Sequence, residues 1–536
     1  MNNSRLLFWS ITSALAGFLF GFDTVVISGA EKQIQNLWSL SGSMHGWALS
    51  AALWGTVLGS LFGGVPTAKF GRKKTLIGIG ILYFISALGS AYADDVTFFI
   101  IARFIGGLGV GVSTIAAPLF ISEIAPAKDR GKLAGMFQFN IVFGVLIAFL
   151  SNYLISKSIT DGSAWRWMLG IEAVPAVIYT LLAFRLPESP RWLITHAGKR
   201  AEGADVFRRI NPGMSDEEIE ALVVEVEHAT APEKGSSKGF FSKRLAKPIK
   251  LAFFIALFNQ LSGINVILYF APRLLDLAGI TDSLAASISL GITNLIFTFV
   301  GLYLIDKLGR KTLLYIGSFG YIISLGVCAV AFLSFTEFKV VSSAIDVISA
   351  ADKVMQVEKG EGYRTEADEK AVLSGFVDAK QSLIESSERE SYKGEKLTIA
   401  ETATTAEVKA IAEQAKLDSS ELLGSTSLLV LICIVGFIAA HAVGQGAVIW
   451  VYISEIFPND QRAAGQAFGC FTHWILAASL TFAFPIAIKA FDAGYMFAFF
   501  ALMMVLQLIW VKFRVVETKG ISLEEVEVEL GVNTKS

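Results

Sequence analysis

Some ionisable residues stand inside long apolar runs, where a charge is costly. Asp23 lies in Gly17-Phe18-Leu19-Phe20-Gly21-Phe22-Asp23-Thr24, Arg103 in Ala102-Arg103-Phe104-Ile105-Gly106-Gly107, and Glu172 in the run near 165–185. A charge in a bilayer core costs at least about 2–3 kcal/mol, so such a residue usually marks function. Neutral amides occupy similar runs: Gln138, Asn259, Gln260, Asn265 and Asn294, with Trp450, His473 and Trp474 among apolar neighbours. An amide both donates and accepts hydrogen bonds. Taken singly, each is more often a bond between helices than a ligand. A third group sits in or beside the short polar loops: Arg72, Glu123, Arg130, Glu188, Arg191, Asp306, Arg310, Glu455 and Arg462.

The elements that position these residues follow from composition. Of 536 residues, 53% are hydrophobic and 17% charged, against about a quarter charged in soluble domains. Mean hydropathy is +0.57. A bilayer-crossing helix needs about 20 mostly apolar residues. Runs of that kind lie near 6–30, 46–66, 75–93, 97–121, 134–155 and 165–185, and again near 249–275, 284–304, 312–334, 427–453, 463–488 and 491–513. The first run lacks a small-residue cleavage site and reads as a retained helix, not a signal peptide. Lys69, Arg72, Lys73 and Lys74 follow the second run, Lys128, Arg130 and Lys132 the fourth, and Lys307, Arg310 and Lys311 the eighth. By the positive-inside rule these loops and both termini are cytoplasmic, as is segment 187–248, while 336–425 lies outside.

The chain also repeats itself. Phe70-Gly71-Arg72-Lys73-Lys74-Thr75-Leu76 recurs as Leu308-Gly309-Arg310-Lys311-Thr312-Leu313, and Ile121-Ser122-Glu123-Ile124-Ala125-Pro126 as Ile453-Ser454-Glu455-Ile456-Phe457-Pro458. Two six-helix halves in parallel repeat place a substrate site between them near mid-membrane. Gly71 to Ser122 is 51 residues and Gly309 to Ser454 is 145, so the second half has gained 94, about the length of 336–425. That insertion is polar, and its Glu/Lys spacing fits a small helical bundle as well as disorder. The expected division is 1–186 for the first bundle, 187–248 for a linker with short helices, 249–335 and 426–515 for the second bundle, and 516–536 for a tail. Ser215-Asp216-Glu217-Glu218 reads as a capped helix start in the linker.

Several classes are excluded. A net charge of -2 gives no sign of a nucleic-acid partner. Cys328, Cys433 and Cys470 lie in apolar runs without metal-type spacing, so no metal and no redox compartment are read from them. No nucleotide-binding motif and no hydrolase or zinc-protease motif occurs, which leaves neither a cofactor nor an enzyme.

At its ordered motifs the chain resembles the sugar porter family of the major facilitator superfamily. Pro187-Glu188-Ser189-Pro190-Arg191-Trp192-Leu193, Gln260-Leu261-Ser262-Gly263-Ile264-Asn265 and Glu517-Thr518-Lys519-Gly520 carry the resemblance, with Val516 where the family has proline. It covers Leu6 to Glu525 except the insertion, and looks most like bacterial xylose–proton symporters and animal glucose facilitators. The resemblance implies an all-α membrane protein with twelve helices in two bundles, in a bacterial inner membrane, that imports a monosaccharide with a proton. A facilitator without proton coupling and a non-transporting receptor are its alternatives.

It also implies roles. Asp23 and Arg103 match the family's proton site and its partner, with Glu172 in support. A carboxylate beside arginine is ionised, and in a dry site without it takes a proton. A permanent structural ion pair is the competing reading. Gln138, Gln260, Asn265, Asn294 and Trp450 match sugar-contacting positions: amides serve hydroxyls, and an aromatic plane covers the apolar ring face. Departures surround them. Asn259 stands for a second Gln, Val145 for a Gln of xylose symporters, Ala447 for a proline, and His473 precedes Trp474 where relatives have Gln or Asn. His473 fits a hydroxyl ligand, a titrating group or a packing residue. Glu123 with Arg130, Glu188 with Arg191, and Glu455 with Arg462 put both charge signs at cytoplasmic helix ends, as a gate requires; loop topology alone is the alternative. Ala68 replaces the acid that Asp306 keeps in the second half, which would weaken the first half's gate and favour an inward-facing state.

Overall fold

The computed structural model describes residues 4–126, 129–229, 239–360, 366–458 and 460–532. Among these the chain is helical, with no strand. Spans 1 to 6 are Ser4–Leu37, the bent pair Gly42–Phe62 and Gly64–Phe70, Arg72–Ala91, Val96–Ile124, Gly135–Ser158 and Ala164–Ala183. Spans 7 to 12 are Lys243–Tyr269, Ser283–Leu308, Arg310–Ser334, Ser425–Ile456, Arg462–Ala490 and Ala493–Arg514. Twelve spans therefore cross, counting the pair bent by 51° as one.

Local sequence explains the ends and breaks. Asp95 accepts bonds from Thr97 N and Phe98 N and so starts span 4; Asp282 does the same for span 8 through Ala285 N. Such caps satisfy amides that have no partner inside the helix. Span 7 breaks at Ser262 and Gly263, where glycine takes φ +86°. Spans 2 and 4 touch backbone to backbone: a Cβ on Gly107 would lie 1.8 Å from Ala52 O, so only glycine permits the approach.

The packing of the halves is uneven. On the side bearing the termini each half has its own core. The first gathers Leu6, Leu76, Ile121 and Leu186, the second Leu251, Leu313, Tyr452 and Val526. Towards the insertion one core joins both halves, with Val26, Ile34 and Leu49 packed with Tyr269, Phe270 and Phe484. The halves are thus closed on the insertion side and parted on the other.

The insertion is folded. Helices Thr336–Glu358, Glu366–Glu388 and Thr405–Leu423 surround a small core of Val340, Ala344, Val347, Leu383, Val408 and Ala412. Thr404 and Glu407 form a reciprocal cap, which resolves the choice between bundle and disorder. The first of these helices packs on spans 1 and 9. The bundle therefore sits over the mouth between the halves. In the linker, Ser215 and Glu218 cap Asp216–Ala229 in the same reciprocal way.

Candidate functional site

The first cluster forms inside the first half. Arg103 Nη1 donates to Asp23 Oδ1 at 2.5 Å and Nη2 to the Asp23 carbonyl at 3.1 Å. Asp23, Arg103 and Glu172 are each 1% exposed. Glu172 lies within hydrogen-bonding reach of Asp23 and close to Arg103, while its Oε1 and the Arg103 Nε have no partner. Asp23 alone binds the guanidinium, and Glu172 lies beside the pair. The cluster is neutral when one carboxyl holds a proton and carries a negative charge when neither does.

The second cluster forms at the break of span 7. Asn265 Nδ2 donates to Gln260 Oε1 at 2.7 Å, and Gln260 Nε2 donates to Asn259 Oδ1 at 3.0 Å. The same nitrogen lies 3.1 Å from His473 Nε2 on span 11. The His473 ring stands 5.1 Å from Trp450 and 4.7 Å from Trp474. Three amides, one imidazole and two indoles thus meet in one place, all in the second half. They bond one another. Gln138 and Asn294 stand apart on spans 5 and 8, which pack on each other. Both are partly exposed, and neither has a side-chain hydrogen bond among the described residues. Phe20 of span 1 reaches across the halves to Trp474, 5.7 Å between ring centres.

The loop charges pair differently from the sequence expectation. Arg72 binds Glu123 with two nitrogens, at 2.9 and 2.7 Å, and Arg310 binds Glu455 at 3.0 and 2.6 Å. Glu188 accepts from the Arg72 and Lys73 amides, and Glu517 accepts from Arg310 and Lys311 in the repeat-related position. Gly71 and Gly309 both adopt φ +90°, and a Cβ there would fall 2.2 Å from Glu188 and 2.5 Å from Glu517. All these bonds stay within one half. Glu188 and Glu455 therefore pair with the amides and the arginine of the repeated Gly-Arg loop and not with Arg191 and Arg462, because the helix start supplies free N–H groups as well as charge. Arg462 keeps two nitrogens buried without a partner, and Asp306 is an exposed carboxylate 3.5 Å from Arg310. The Arg130 side chain and Lys128 lie outside the described residues. Glu517 was visible in its motif but not singled out; its repeat relation to Glu188 was the available signal.

The ion pairs across the halves, among the described residues, lie on the insertion side. Arg273 binds Glu31 with Nε at 2.8 Å and Nη2 at 2.9 Å, and also Gln35. His45 approaches Glu31 at 3.1 Å. Asp276 binds Lys32 of span 1 and Lys416 of the insertion, and Lys157 meets Asp282 at 3.0 Å. None of these residues was anticipated. Arg273 stands at the end of the apolar run near 249–275, where the sequence does not separate an interior charge from a surface one.

Fold, repeat and paired buried clusters define a major facilitator transporter with twelve spans, not an enzyme. The chain belongs to the sugar porter family: the model described as sugar (and other) transporter matches residues 9–351 and 405–530. It is 30% identical to the arabinose-proton symporter of Bacillus subtilis over 97% of this chain and 93% of that one. The inward open structure of the xylose transporter from E. coli superposes with TM-score 0.72 at 27% identity, covering 98% of this chain and 99% of that one. The structure of that proton:xylose symporter bound to 6-bromo-6-deoxy-D-glucose gives 0.67 at 27% identity, covering 99% and 100%.

Proposed function

We propose that this chain moves a monosaccharide together with a proton across a bacterial inner membrane by alternating access, with both termini in the cytoplasm. The observation that carries the coupling is the buried cluster of two carboxyls and one guanidinium, Asp23, Glu172 and Arg103. Such a cluster holds one proton in one arrangement and releases it when the guanidinium closes on the freed carboxylate. The similarity to proton-coupled arabinose and xylose transporters supports the same reading. In this scheme Gln260, Asn265 and His473 hold the sugar hydroxyls, with Trp450 beside the ring. Phe20 lies three residues before Asp23 on span 1 and rests on Trp474, so a shift of span 1 on protonation reaches the sugar site directly. The shared core and the ion pairs of the insertion side, with separate cores on the other, correspond to the inward-facing state.

Purified protein in liposomes tests this. Counterflow with a panel of pentoses and hexoses identifies the sugar, and an enclosed dye reads proton entry. One positive charge moves with each neutral sugar, so about 2.3 kcal/mol per 100 mV drives accumulation. Asp23→Asn should abolish accumulation against a gradient while labelled sugar still exchanges. Wild-type protein that only equilibrates sugar, with neither proton flux nor voltage response, would replace this reading with facilitation.

A further inference from the structure

A cavity of about 1010 Å³ lies between the three-helix insertion and the outer ends of both halves. Ligand pockets span roughly 300–1,000 Å³, so this chamber is large enough for a saccharide. It is distinct from the amide cluster at the span 7 break, whose residues do not line it. Its wall carries six basic side chains and three carboxylates. Most of the basic groups nearest the halves are engaged. Arg273 is held by Glu31, Lys32 by Asp276, and Lys339 by Asp492 at 3.2 Å. Asp276 also serves Lys416 and has nothing left to give.

Lys353 of the insertion and Lys489 at the end of span 11 both line this chamber and form no close ion pair among the described residues, although Asp346 attracts both. They lie close enough to repel each other, and Arg273 adds to the repulsion on Lys353. Burial together with these cations lowers the Lys353 ammonium below its usual range. Asp346 faces Arg273, Lys489, Lys32 and Lys353 together, and burial still raises its carboxyl. Asp378 and Arg389 also line the wall. One carboxylate, Asp346, thus answers to four cations, and Lys353 and Lys489 are left with less negative charge than would balance them.

We propose that this chamber binds an anionic saccharide, a sugar bearing a carboxylate, with the carboxylate between Lys353 and Lys489. A partly enclosed cationic pair gains most from a counter-anion held there. The rest of the wall suits a sugar better than a bare ion. Gln35 and Asn36 present amides, Ser342 and Ser382 hydroxyls, and Trp38 an indole. A small inorganic anion would leave most of the volume and these groups unused. The binding is read without turnover, so it stands or falls separately from sugar–proton transport.

Calorimetry on the full chain in nanodiscs at low salt tests the assignment, with galacturonate, galactose and inorganic phosphate as probes. Galacturonate should bind at least tenfold more tightly than phosphate and weaken as salt rises. In K353Q/K489Q its affinity should fall tenfold or more with galactose binding unchanged, and K353R/K489R should restore it. Quenching of Trp38 fluorescence by galacturonate, lost in Trp38→Phe, places the ligand in the chamber even where a lysine variant folds poorly. Equal or tighter phosphate binding would overturn the saccharide assignment. Galacturonate affinity that ignores salt and both lysines would overturn the site.

Discussion

Replacing Glu31 by glutamine keeps the shape of the side chain and removes its charge. In the structure Glu31 is 1% exposed and receives both Arg273 Nε and Nη2, at 2.8 and 2.9 Å. The two residues belong to opposite halves, and the bond exists only while the insertion side is closed. Removing one partner of a buried pair costs about 3–5 kcal/mol. The glutamine oxygen still accepts one bond and Gln35 still accepts another, so about 1.5–3 kcal/mol is the expected loss, the range for a bond to a charged group. At 1.4 kcal/mol per factor of ten, the equilibrium moves roughly ten- to a hundredfold towards opening on the insertion side. Spin labels at Leu37 and Tyr495, exposed positions of the two halves near the chamber, read this directly. Pulsed dipolar spectroscopy should give one short distance in the parent protein and a second, longer population in E31Q. An unchanged distance distribution in a folded variant would refute the idea that this pair holds the state shown here.

Gln260→Ala removes the amide that links Asn259, Asn265 and His473; each unsatisfied group costs about 1–3 kcal/mol, so sugar affinity should fall tenfold or more in a binding assay. Gly309→Ala combines φ +90° with a Cβ 2.5 Å from Glu517, and about 1–3 kcal/mol of strain should lower the melting temperature in detergent; an unaltered melting curve would count against the Glu517 latch. Burial opposes ionisation of Asp276, but Lys32 and Lys416 outweigh it and hold its carboxyl below the usual range. A carboxyl lowered in this way supports docking of the insertion above the free value of about 3.9 and loses that support as pH falls through its own lower value. Hydrogen exchange in Thr405–Leu423 should therefore show no docking-related change from pH 7 to about 5 and loosen only in stronger acid; loosening between pH 7 and 5 would assign the docking to other groups.

Residues that break a periodic apolar run were legible, because nothing local explains them. Asp23, Arg103 and Glu172 stood out for that reason, and they meet. The repeated Gly-Arg loop was legible too, and with it the two halves. What stayed hidden depends on partners distant in sequence. Glu31 and Arg273 lie 242 positions apart, near span ends where an apolar run does not say whether a charge is inside or at the surface. The loop arginines offered many partners for each glutamate; only the helix-start amides at Gly71 and Gly309 decide among them. The insertion's helices were foreshadowed by Glu/Lys spacing, but its seat over the mouth was not, since docking rests on single contacts such as Lys416 to Asp276 and Ser349 to Asn36.

The seat of the insertion is lopsided. Both of its ends run into spans of the second half, and Lys416 and Lys339 reach residues of that half, Asp276 and Asp492. To the first half it is joined by Ser349 on Asn36 at 2.8 Å and by packing on span 1. When the halves rock, the bundle must ride with the second, and Lys32, Gln35 and Trp38 of the first form a wall that slides beneath it. Parting the halves at this mouth would draw that wall away from the bundle, so the volume of the chamber, about 1010 Å³ as it stands, is tied to the distance between the halves.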